Sequence, residues 1–302
     1  MPSDPYASRV GGEGRIVDRV DPVVYGKANP SGEFALSREQ VRFYEENGYL
    51  VLESHMPDVV DALLEETEML GKKLAGRPEL IAEPDSQVTR TIFSPHEFGE
   101  VAGRVAGDPR LLDPVRQLLD SDVYIHHSRT NIKPALDGRS FPWHSDFETW
   151  HVEDGIPRPR VLTAWIFLTE NTCFNGPLFA IAGSHKWYYS SPGWTPEENH
   201  LRSLKRQEYG TPSADVLRRM MESGKDLVSL VGKAGTVVFH EANIMHSSPD
   251  NVSPWPRTNI FYVYNSVENK PTEPYGGTPP RPRFLRNTNF KPVRRGRPFG
   301  TG

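Results

Sequence analysis

The sequence has little that would build a disulfide framework, a membrane span or a strongly basic surface. Cys173 is the only cysteine among 302 residues, so no intrachain disulfide can form, and the reducing cytoplasm is the expected location. The best apolar run, residues 161–168, is far shorter than the ~20 residues of a membrane helix. The N-terminus lacks the apolar core of a signal peptide. The net charge of -4 disfavours nucleic acid as the main partner.

Apolar residues are spaced differently in the two parts of the chain. In the first part the spacing is helical: Ser37 and Gln40 form a capping box that opens a helix running to Gly48, and further helices are predicted over residues 57–74 and 111–119. After residue 122 the period shortens, and strands are predicted over residues 123–131, 161–169, 177–181, 236–240 and 258–264. Helices followed by short strands predict an all-β core with flanking helices, built as an antiparallel double-sheet roll.

We expect a single domain over residues 1–302. Residues 1–35 are rich in Gly, Pro and charge and are interpreted as an N-terminal arm on the surface. The polar segment 194–224 is interpreted as an insertion that covers the roll. The basic segment 285–302 is interpreted as a solvated, flexible tail. The sequence does not fix the oligomeric state and leaves a homodimer open.

The run from Phe141 to His151 contains the motif of greatest chemical interest. His144 and Asp146 occupy alternate positions of an extended segment, so both side chains point to the same side. His246, far along the chain, would complete two imidazoles and one carboxylate on one face of a metal ion, the ligand set of non-haem Fe(II) oxygenases. These three are the predicted catalytic and metal-binding residues. Taken singly, each histidine is equally well explained as an interior residue with its hydrogen bonds satisfied.

Arg257 follows the last of these ligands by eleven residues and extends the metal hypothesis. A guanidinium can hold one carboxylate of a dicarboxylate cosubstrate by a two-point ion pair while the other end chelates the metal. Trp143, Phe147 and Trp150 would supply an apolar wall that excludes water. Asp146 argues against an iron halogenase, in which a small residue at this position leaves space for a halide. Zinc hydrolysis is disfavoured too, because an arginine-held coligand serves oxygen activation better than water activation.

A second set of polar residues lies on the strand predicted over residues 123–131. His127, Arg129 and Asn131 are two residues apart and share one face, which would line a pocket with donors if it is the inner face. The alternative is a polar row that faces solvent. Phe93 could close the cosubstrate end of the pocket, or it could be an ordinary core residue.

The longest motif runs from Trp143 to Pro157 and reads Trp-His-Ser-Asp-Phe-Glu-Thr-Trp-His-Val-Glu-Asp-Gly-Ile-Pro. Shorter motifs occur at residues 21–26, 122–126, 175–178, 183–185, 206–210 and 263–269. In these segments the chain resembles the ectoine hydroxylases of the phytanoyl-CoA dioxygenase superfamily. The resemblance implies a double-stranded β-helix (jelly-roll, cupin-like) with N-terminal helices packed on it. It also implies Fe(II) as the metal, with 2-oxoglutarate and O₂ as cosubstrates.

The resemblance also implies roles for individual residues. It implies the ligand set His144, Asp146 and His246, the same three residues chosen from the motif. It assigns contacts with 2-oxoglutarate to Phe93, Arg129, Asn131, Trp150, Ser248 and Arg257. It assigns contacts with the substrate to Thr149, Trp150 and Arg281, with Arg281 pairing with the substrate carboxylate.

Four positions depart from the family pattern. His127 stands where the family has glutamine, His240 where it has phenylalanine, Pro142 where it has an aromatic residue, and Ser247 where it has glycine. An imidazole offers one donor and one acceptor in a different geometry from an amide, and His240 would replace an apolar wall with a titratable one. His127 and His240 are therefore added to the predicted substrate-binding residues, since they could adapt the pocket to another substrate.

The predicted function is hydroxylation of an unactivated C–H bond in a small zwitterion by an Fe(II)/2-oxoglutarate-dependent dioxygenase. Ectoine, giving 5-hydroxyectoine, is the first substrate hypothesis. The first alternative is the same chemistry on a different amino acid or amino-acid-derived substrate in specialised metabolism. The second is a non-catalytic jelly-roll protein that binds a small ligand; it would form no succinate. Binding of nucleic acid through the basic tail is the least favoured alternative.

Overall fold

Helices dominate the first 120 residues and strands the rest. The computed structural model describes residues 4–26, 32–83, 86–204, 206–222 and 226–300. The helices in this part of the chain are α1 (Arg38–Asn47), α2 (Val60–Lys73), α3 (Pro95–Phe98), α4 (Glu100–Val105), α5 (Pro109–Leu119), α6 (Asp146–Thr149), α7 (His200–Ser203) and α8 (Ala214–Glu222). None of them combines the length and the apolar character that a membrane crossing requires.

The strands predicted over residues 123–131, 161–169, 177–181, 236–240 and 258–264 are all present, and the structure contains further strands that were not predicted. In chain order the strands are β1 (Arg15–Asp18), β2 (Tyr49–Leu52), β3 (Leu80–Ala82), β4 (Thr89–Phe93), β5 (Val123–Lys133), β6 (Phe141–His144), β7 (Val161–Phe167), β8 (Leu178–Ile181), β9 (Trp187–Ser190), β10 (Leu227–Leu230), β11 (Val237–Glu241), β12 (His246–Ser248) and β13 (Arg257–Ser266). A π-helical turn, Trp150–Asp154, continues α6.

Helix α1 shows how directly the local sequence sets an element. The Ser37 side chain accepts a hydrogen bond from the backbone N–H of Gln40, and the Gln40 side chain accepts one from the backbone N–H of Ser37. This reciprocal pair satisfies donors that the first turn of a helix leaves open. Gly48 ends the helix with φ of 79°, a left-handed conformation that glycine adopts without steric cost. Both predicted boundaries are confirmed.

Two antiparallel sheets form the body of the protein. The larger has the strand order β2-β11-β7-β13-β5-β4-β3, and the smaller has the order β10-β8-β12-β6. Trp165, Phe167 and Phe261 of the larger sheet pack against Leu178 and Leu230 of the smaller one. The structure is therefore a double-stranded β-helix, as predicted.

The outer face of the larger sheet is covered by helices. Along β7, Leu162, Ala164 and Ile166 share a core with buried residues of α1, α4 and α5, whereas Trp165 and Phe167 point between the sheets. Because side chains alternate along a strand, one face of the sheet serves the helical layer and the other encloses the interior of the roll.

A β-bulge in β5 decides which of its side chains reach that interior. The register with β13 shifts once, and His126 is the extra residue on β5. Before the bulge, Ile125 packs in the core beneath the helices. After it, His127 and Arg129 line the interior cavities. Without the extra residue, strict alternation would have put His127 on the same face as Ile125.

The N-terminal arm is held tightly against the roll over its described residues. Tyr6 and Arg9 are 1% and 0% exposed, and β1 pairs with β9. The arm was expected on the surface, and Arg9 in particular was not expected to be buried. Residues 1–3 and 27–31 of the arm lie outside the described ranges.

The C-terminal tail was expected to be solvated, but residues 285–300 lie along α5 and β5. The backbone N–H of Val293 donates to the carbonyl of Val123 (2.7 Å), and that of Gly296 donates to the carbonyl of Gly107 (2.8 Å). Val293 and Phe299 interrupt the basic residues and pack against the helical core. The basic composition of the segment predicted a flexible tail, because composition does not register two apolar residues among many charged ones. Residues 301–302 lie outside the described ranges, and the division into one domain with two appendages stays a prediction.

Deletion of residues 288–302 should destabilise the fold by about 2–4 kcal/mol, because it uncovers the apolar surface under Val293 and Phe299 and removes their hydrogen bonds. The measurement is the urea midpoint of unfolding, with exposed Lys291→Ala as the control. An unchanged midpoint in the truncated chain would show that the tail contributes nothing.

Candidate active site

Two neighbouring antiparallel strands bring the predicted metal ligands together. His144 ends β6 and His246 begins β12; the two are direct cross-strand partners, with ring centroids 4.2 Å apart. Asp146 begins α6, where the chain turns from strand into helix under the N-cap Ser145. One ligand atom from each of the three residues lies within 4.8 Å of the other two. The predicted convergence is confirmed.

Hydrogen bonds fix which nitrogen each imidazole presents. Nδ1–H of His144 donates to the carbonyl of Pro142 (2.8 Å), and Nδ1–H of His246 donates to the carbonyl of Ile244 (3.0 Å). The Nε2 atoms face Asp146, at 3.5 Å from Oδ1 and 3.9 Å from Oδ2 respectively. Burial, and then His144, lower the pKa of His246 well below its ordinary value. The lone pairs on Nε2 are therefore available to a metal ion.

Asp146 stays ionised although it is buried. Burial alone would raise its pKa, but the neighbouring imidazoles, His246 first and then His144 and His240, hold the pKa well below its ordinary value. Nε2 of His240 lies 3.4 Å from Oδ2 of Asp146. His240, predicted to contact the substrate, is thus placed beside a metal ligand, and it lines the cavity that contains Arg257.

That cavity contains two arginine side chains, of which Arg257 is buried and Arg129 is partly buried. Arg257 begins β13, and its Nη2 donates to Oδ1 of Asn131 on β5 (2.7 Å). Arg129, also on β5, lies over the ring of Phe261 at 5.1 Å. Within the described ranges, no carboxylate forms a salt bridge with either arginine. Burial, and then Arg129, lower the pKa of Arg257 to about 9. A dianionic ligand would supply the missing counter-charge.

Most of the residues predicted to contact the cosubstrate line this cavity. Phe93, Asn131 and Ser248 lie there beside Arg129 and Arg257. Trp150 does not line it and belongs to the adjoining cavity.

Lys133 also lines the cavity, although the sequence analysis did not single it out. Burial, and then Arg257, lower its pKa to about 6, and its Nζ donates to the carbonyl of Pro249. At neutral pH the amine is mostly uncharged, so Lys133 adds a hydrogen-bond donor but little positive charge.

The adjoining cavity contains the other predicted residues. His127, Thr149, Trp150 and Arg281 line it. A group of residues borders both cavities, namely Phe93, Arg129, Phe141, His144 and Leu204. The two cavities therefore meet at the metal ligands, with Arg257 on one side, Arg281 on the other and Arg129 where the cavities join.

Arg281 is held by a protein carboxylate. Its Nε and Nη2 donate to the two carboxylate oxygens of Asp154, at 2.7 Å and 2.6 Å. Nε2 of His126 lies 2.9 Å from the same carboxylate. Burial opposes ionisation of Asp154, but Arg281 outweighs it and lowers the pKa to about 2. The expected partner of Arg281 was a substrate carboxylate; Asp154 takes two of its nitrogens and leaves Nη1 for a further contact.

His127 has unfilled hydrogen-bonding capacity. Both of its ring nitrogens are buried, and neither has a partner among the described residues. The ring meets Trp150 edge-on, with centroids 5.5 Å apart. Burial, and then His126, lower the pKa of His127 well below its ordinary value. A neutral imidazole thus presents one donor and one acceptor to the cavity, which is unusual for a buried polar group.

Sequence reasoning missed several residues that shape the site. Ser203, Leu204 and Gln207 of the insertion line the cavity of Arg281, and Asp154 fixes that arginine. Gln207 and Asp154 lie inside the motifs at residues 206–210 and 143–157, so the signal was present. The motifs alone did not reveal the roles of Gln207 and Asp154, because the residues that these side chains contact are distant in sequence.

Known proteins with similar sequences share one activity in their names. The model of the phytanoyl-CoA dioxygenase family matches residues 44–259. An ectoine dioxygenase of Bordetella bronchiseptica is 47% identical over 297 residues, covering 96% of this chain and 95% of its own length. One of Sphingopyxis alaskensis is 42% identical over 300 residues, covering 98% of this chain and 94% of its own length.

Crystal structures of EctD from S. alaskensis have the same fold. The structure with 2-oxoglutarate and 5-hydroxyectoine is similar with a TM-score of 0.86 at 38% identity, and the structure with bound Fe with 0.85 at 37% identity. Both comparisons cover 98% of this chain and 99% of the other. The family model matches well over half of the chain, and these relatives match nearly all of it, so the chain belongs to the phytanoyl-CoA dioxygenase family.

Proposed function

We propose that this chain is an Fe(II)- and 2-oxoglutarate-dependent dioxygenase that hydroxylates ectoine to 5-hydroxyectoine. One observation carries the proposal: two cavities meet at a His–Asp–His set, and the arginines Arg129 and Arg257 beside it have no carboxylate partner among the described residues. The similar proteins are named ectoine dioxygenases, and EctD of S. alaskensis was crystallised with 2-oxoglutarate and 5-hydroxyectoine.

The donor set fits Fe(II). Neutral imidazoles from His144 and His246 and the carboxylate of Asp146 would occupy one face of the ion and leave the other positions open. When bound, the iron activates O₂, so that 2-oxoglutarate is converted to succinate and CO₂ while one oxygen atom enters a substrate C–H bond. The contribution of the three side chains is to hold one negative charge and two lone pairs in place before any ligand arrives.

Arg257 holds the far carboxylate of 2-oxoglutarate. Its guanidinium is oriented by Asn131, and the strand pairing of β13 with β5 places Arg129 on the same side. A planar guanidinium matches a carboxylate by two parallel hydrogen bonds, and burial strengthens both. Ser248 can donate a further hydrogen bond to the cosubstrate, and the ring of Phe93 forms part of the cavity wall.

The second cavity positions the substrate. Nη1 of Arg281 receives the substrate carboxylate, because Asp154 restrains the guanidinium through its other two nitrogens. The acceptor nitrogen of neutral His127 accepts a hydrogen bond from an N–H of ectoine, which is a cyclic amidine. Thr149 and Trp150 form the remaining wall, and Leu204 helps to keep water out where the cavities meet.

A second candidate is the same reaction on another small zwitterion, such as a free or cyclic amino acid. It is favoured by His127, because an imidazole stands where the resemblance implies glutamine. A primary or secondary ammonium group could donate to the same acceptor nitrogen. A pocket that discriminates by such hydrogen bonds can change preference strongly when one of them moves.

We place the enzyme in the cytoplasm, where 2-oxoglutarate is available and where the single, exposed Cys173 stays reduced. The homodimer stays a prediction, for which light scattering on the purified protein is the measurement.

Incubation with Fe(II), ascorbate, 2-oxoglutarate and ectoine in air should form succinate and a product heavier by one oxygen atom. His246→Ala should bind no stoichiometric Fe(II) and form no product, because only two ligands remain. His55→Ala, a histidine outside the site, is the control. Full turnover by His246→Ala would refute the metal assignment; turnover of an amino acid but not ectoine would select the second candidate.

Arg257→Lys should raise the KM for 2-oxoglutarate by about 10- to 100-fold. Lysine keeps the positive charge but loses one of the two parallel hydrogen bonds that the guanidinium makes to the carboxylate. At saturating 2-oxoglutarate, kcat should stay near the wild-type value. Arg295→Lys, which pairs with Asp113 near the surface, is the matched control. An unchanged KM for 2-oxoglutarate would remove Arg257 from the cosubstrate site.

His127→Gln should shift substrate preference towards ectoine, raising the ratio of kcat/KM for ectoine to that for the best amino acid by about tenfold or more. The reason is that glutamine offers an acceptor and a donor at one amide, where the imidazole offers them on opposite sides of a ring. The KM for 2-oxoglutarate should not change. Identical ratios in the two proteins would exclude His127 from substrate recognition.

A further inference from the structure

Arg9, in the N-terminal arm, is buried between two carboxylates of the segment that follows the metal-ligand motif. Its Nε and Nη2 donate to the two carboxylate oxygens of Glu148, at 2.9 Å and 2.6 Å, and its Nη1 donates to Glu153. The arginine is 0% exposed and has φ of 54°, in the left-handed region that non-glycine residues rarely occupy. Such a conformation persists only where the surrounding contacts hold it.

The two carboxylates belong to the segment that carries the active site. Glu148 lies in α6, two residues after Asp146, and Glu153 lies in the π-helical turn that begins at Trp150. Arg9 also reaches this segment directly, because its Nη2 donates to Oγ1 of Thr149 (3.2 Å). The arm therefore binds the segment that follows Asp146 through three side chains, Glu148, Thr149 and Glu153.

The insertion over the roll rests on the same group of side chains. Nδ2 of Asn199 donates to Glu153 (2.8 Å), and Nε2 of Gln207 donates to Oγ1 of Thr149 (3.2 Å). Gly210 approaches so closely that a Cβ there would lie 2.4 Å from Oε2 of Glu148. Gln207 in turn lines the cavity of Arg281.

The charges make Arg9 the centre of this group. Two carboxylates face one guanidinium, and each also accepts a hydrogen bond from a neutral donor: Ser8 donates to Oε1 of Glu148 (2.6 Å) and Asn199 donates to Oε1 of Glu153. Without Arg9, the buried carboxylates of Glu148 and Glu153 would repel each other. This repulsion would act beside Thr149, which accepts the hydrogen bond from Gln207 of the insertion.

We propose that Arg9 is a positioning residue of the active site: it holds Thr149 and the insertion in place as the wall and cover of the substrate cavity. The N-terminal arm is then part of the catalytic assembly. The kinetic side of this inference rests on the proposed function, whereas its structural side does not.

Arg110 offers a matched control. It too is a guanidinium between two carboxylates, Asp58 and Asp108, and among the described residues it forms no hydrogen bond or ion pair with the cavities or the insertion. Arg9→Met and Arg110→Met each remove one arginine from such a pair. Both should lower the melting temperature, and Arg9→Met alone should raise the KM for the substrate by about tenfold or more while the KM for 2-oxoglutarate stays within about twofold.

Hydrogen exchange on the full-length protein gives a readout that needs no substrate. Amides of residues 146–154 and 194–204 should exchange faster in Arg9→Met and at the wild-type rate in Arg110→Met. If the proposed substrate fails, this measurement still decides the role of Arg9. If Arg9→Met does not fold, Arg9→Met/Glu148→Gln/Glu153→Gln removes the buried charges together and should show the same faster exchange.

Arg9→Lys keeps the positive charge but loses the planar guanidinium that bonds both carboxylates. Its KM for the substrate should therefore lie between those of the wild type and Arg9→Met. The proposal is overturned if Arg9→Met, or the triple variant in its place, leaves exchange of both segments and the substrate KM as in Arg110→Met. In that case Arg9 would contribute to stability alone.

Discussion

The antiparallel pairing of β6 with β12 is the interaction on which the site depends. It sets His246 directly opposite His144, and the chain brings Asp146 in by turning into α6 two residues later. A slip of one residue would turn one imidazole to the opposite face of the sheet, and the metal set would be lost. The register is secured from the other side as well, because β8 pairs with β12 at Ala180 and Phe179. Metal-binding geometry is therefore a consequence of strand register in the smaller sheet.

The interior of the roll is left electrostatically incomplete on the cosubstrate side. Arg257 is buried there and Arg129 is partly buried, and the part of the chain that the structure describes offers them amide and aromatic contacts but no carboxylate. This contrasts with Arg9 and Arg281, whose guanidinium groups are neutralised by protein carboxylates. Buried charge without a partner costs stability, so an anion that enters this cavity both binds tightly and stabilises the fold.

The sequence predicted those features of the molecule that depend on residues close to one another in the chain. The capping box at Ser37 and the strand β7 each depend on a few neighbouring residues, and both were predicted correctly. His144 and Asp146 do lie together as predicted, although Asp146 lies in α6 rather than on the expected extended segment. Features that depend on distant partners were not predicted. The tail docks through Val293, which meets β5 some 170 residues earlier, and Asp154, the partner of Arg281, lies in a π-helical turn. The bulge at His126 is intermediate: His127 and Arg129 were predicted to share one face, but which way that face points depends on the register with β13.

The structure separates the two histidines that depart from the family pattern. His240 lies beside Oδ2 of Asp146 and lines the cavity that contains Arg257. His127 lies in the other cavity, and neither of its ring nitrogens has a partner among the described residues. Of these two histidines, His127 is therefore the one that lines the cavity proposed for the substrate. Together with Arg281 it defines what a ligand must offer: a carboxylate at one end and an N–H group at the other. Ectoine meets this requirement, and so do other small zwitterions, which is why reaction chemistry is more firmly determined here than substrate identity.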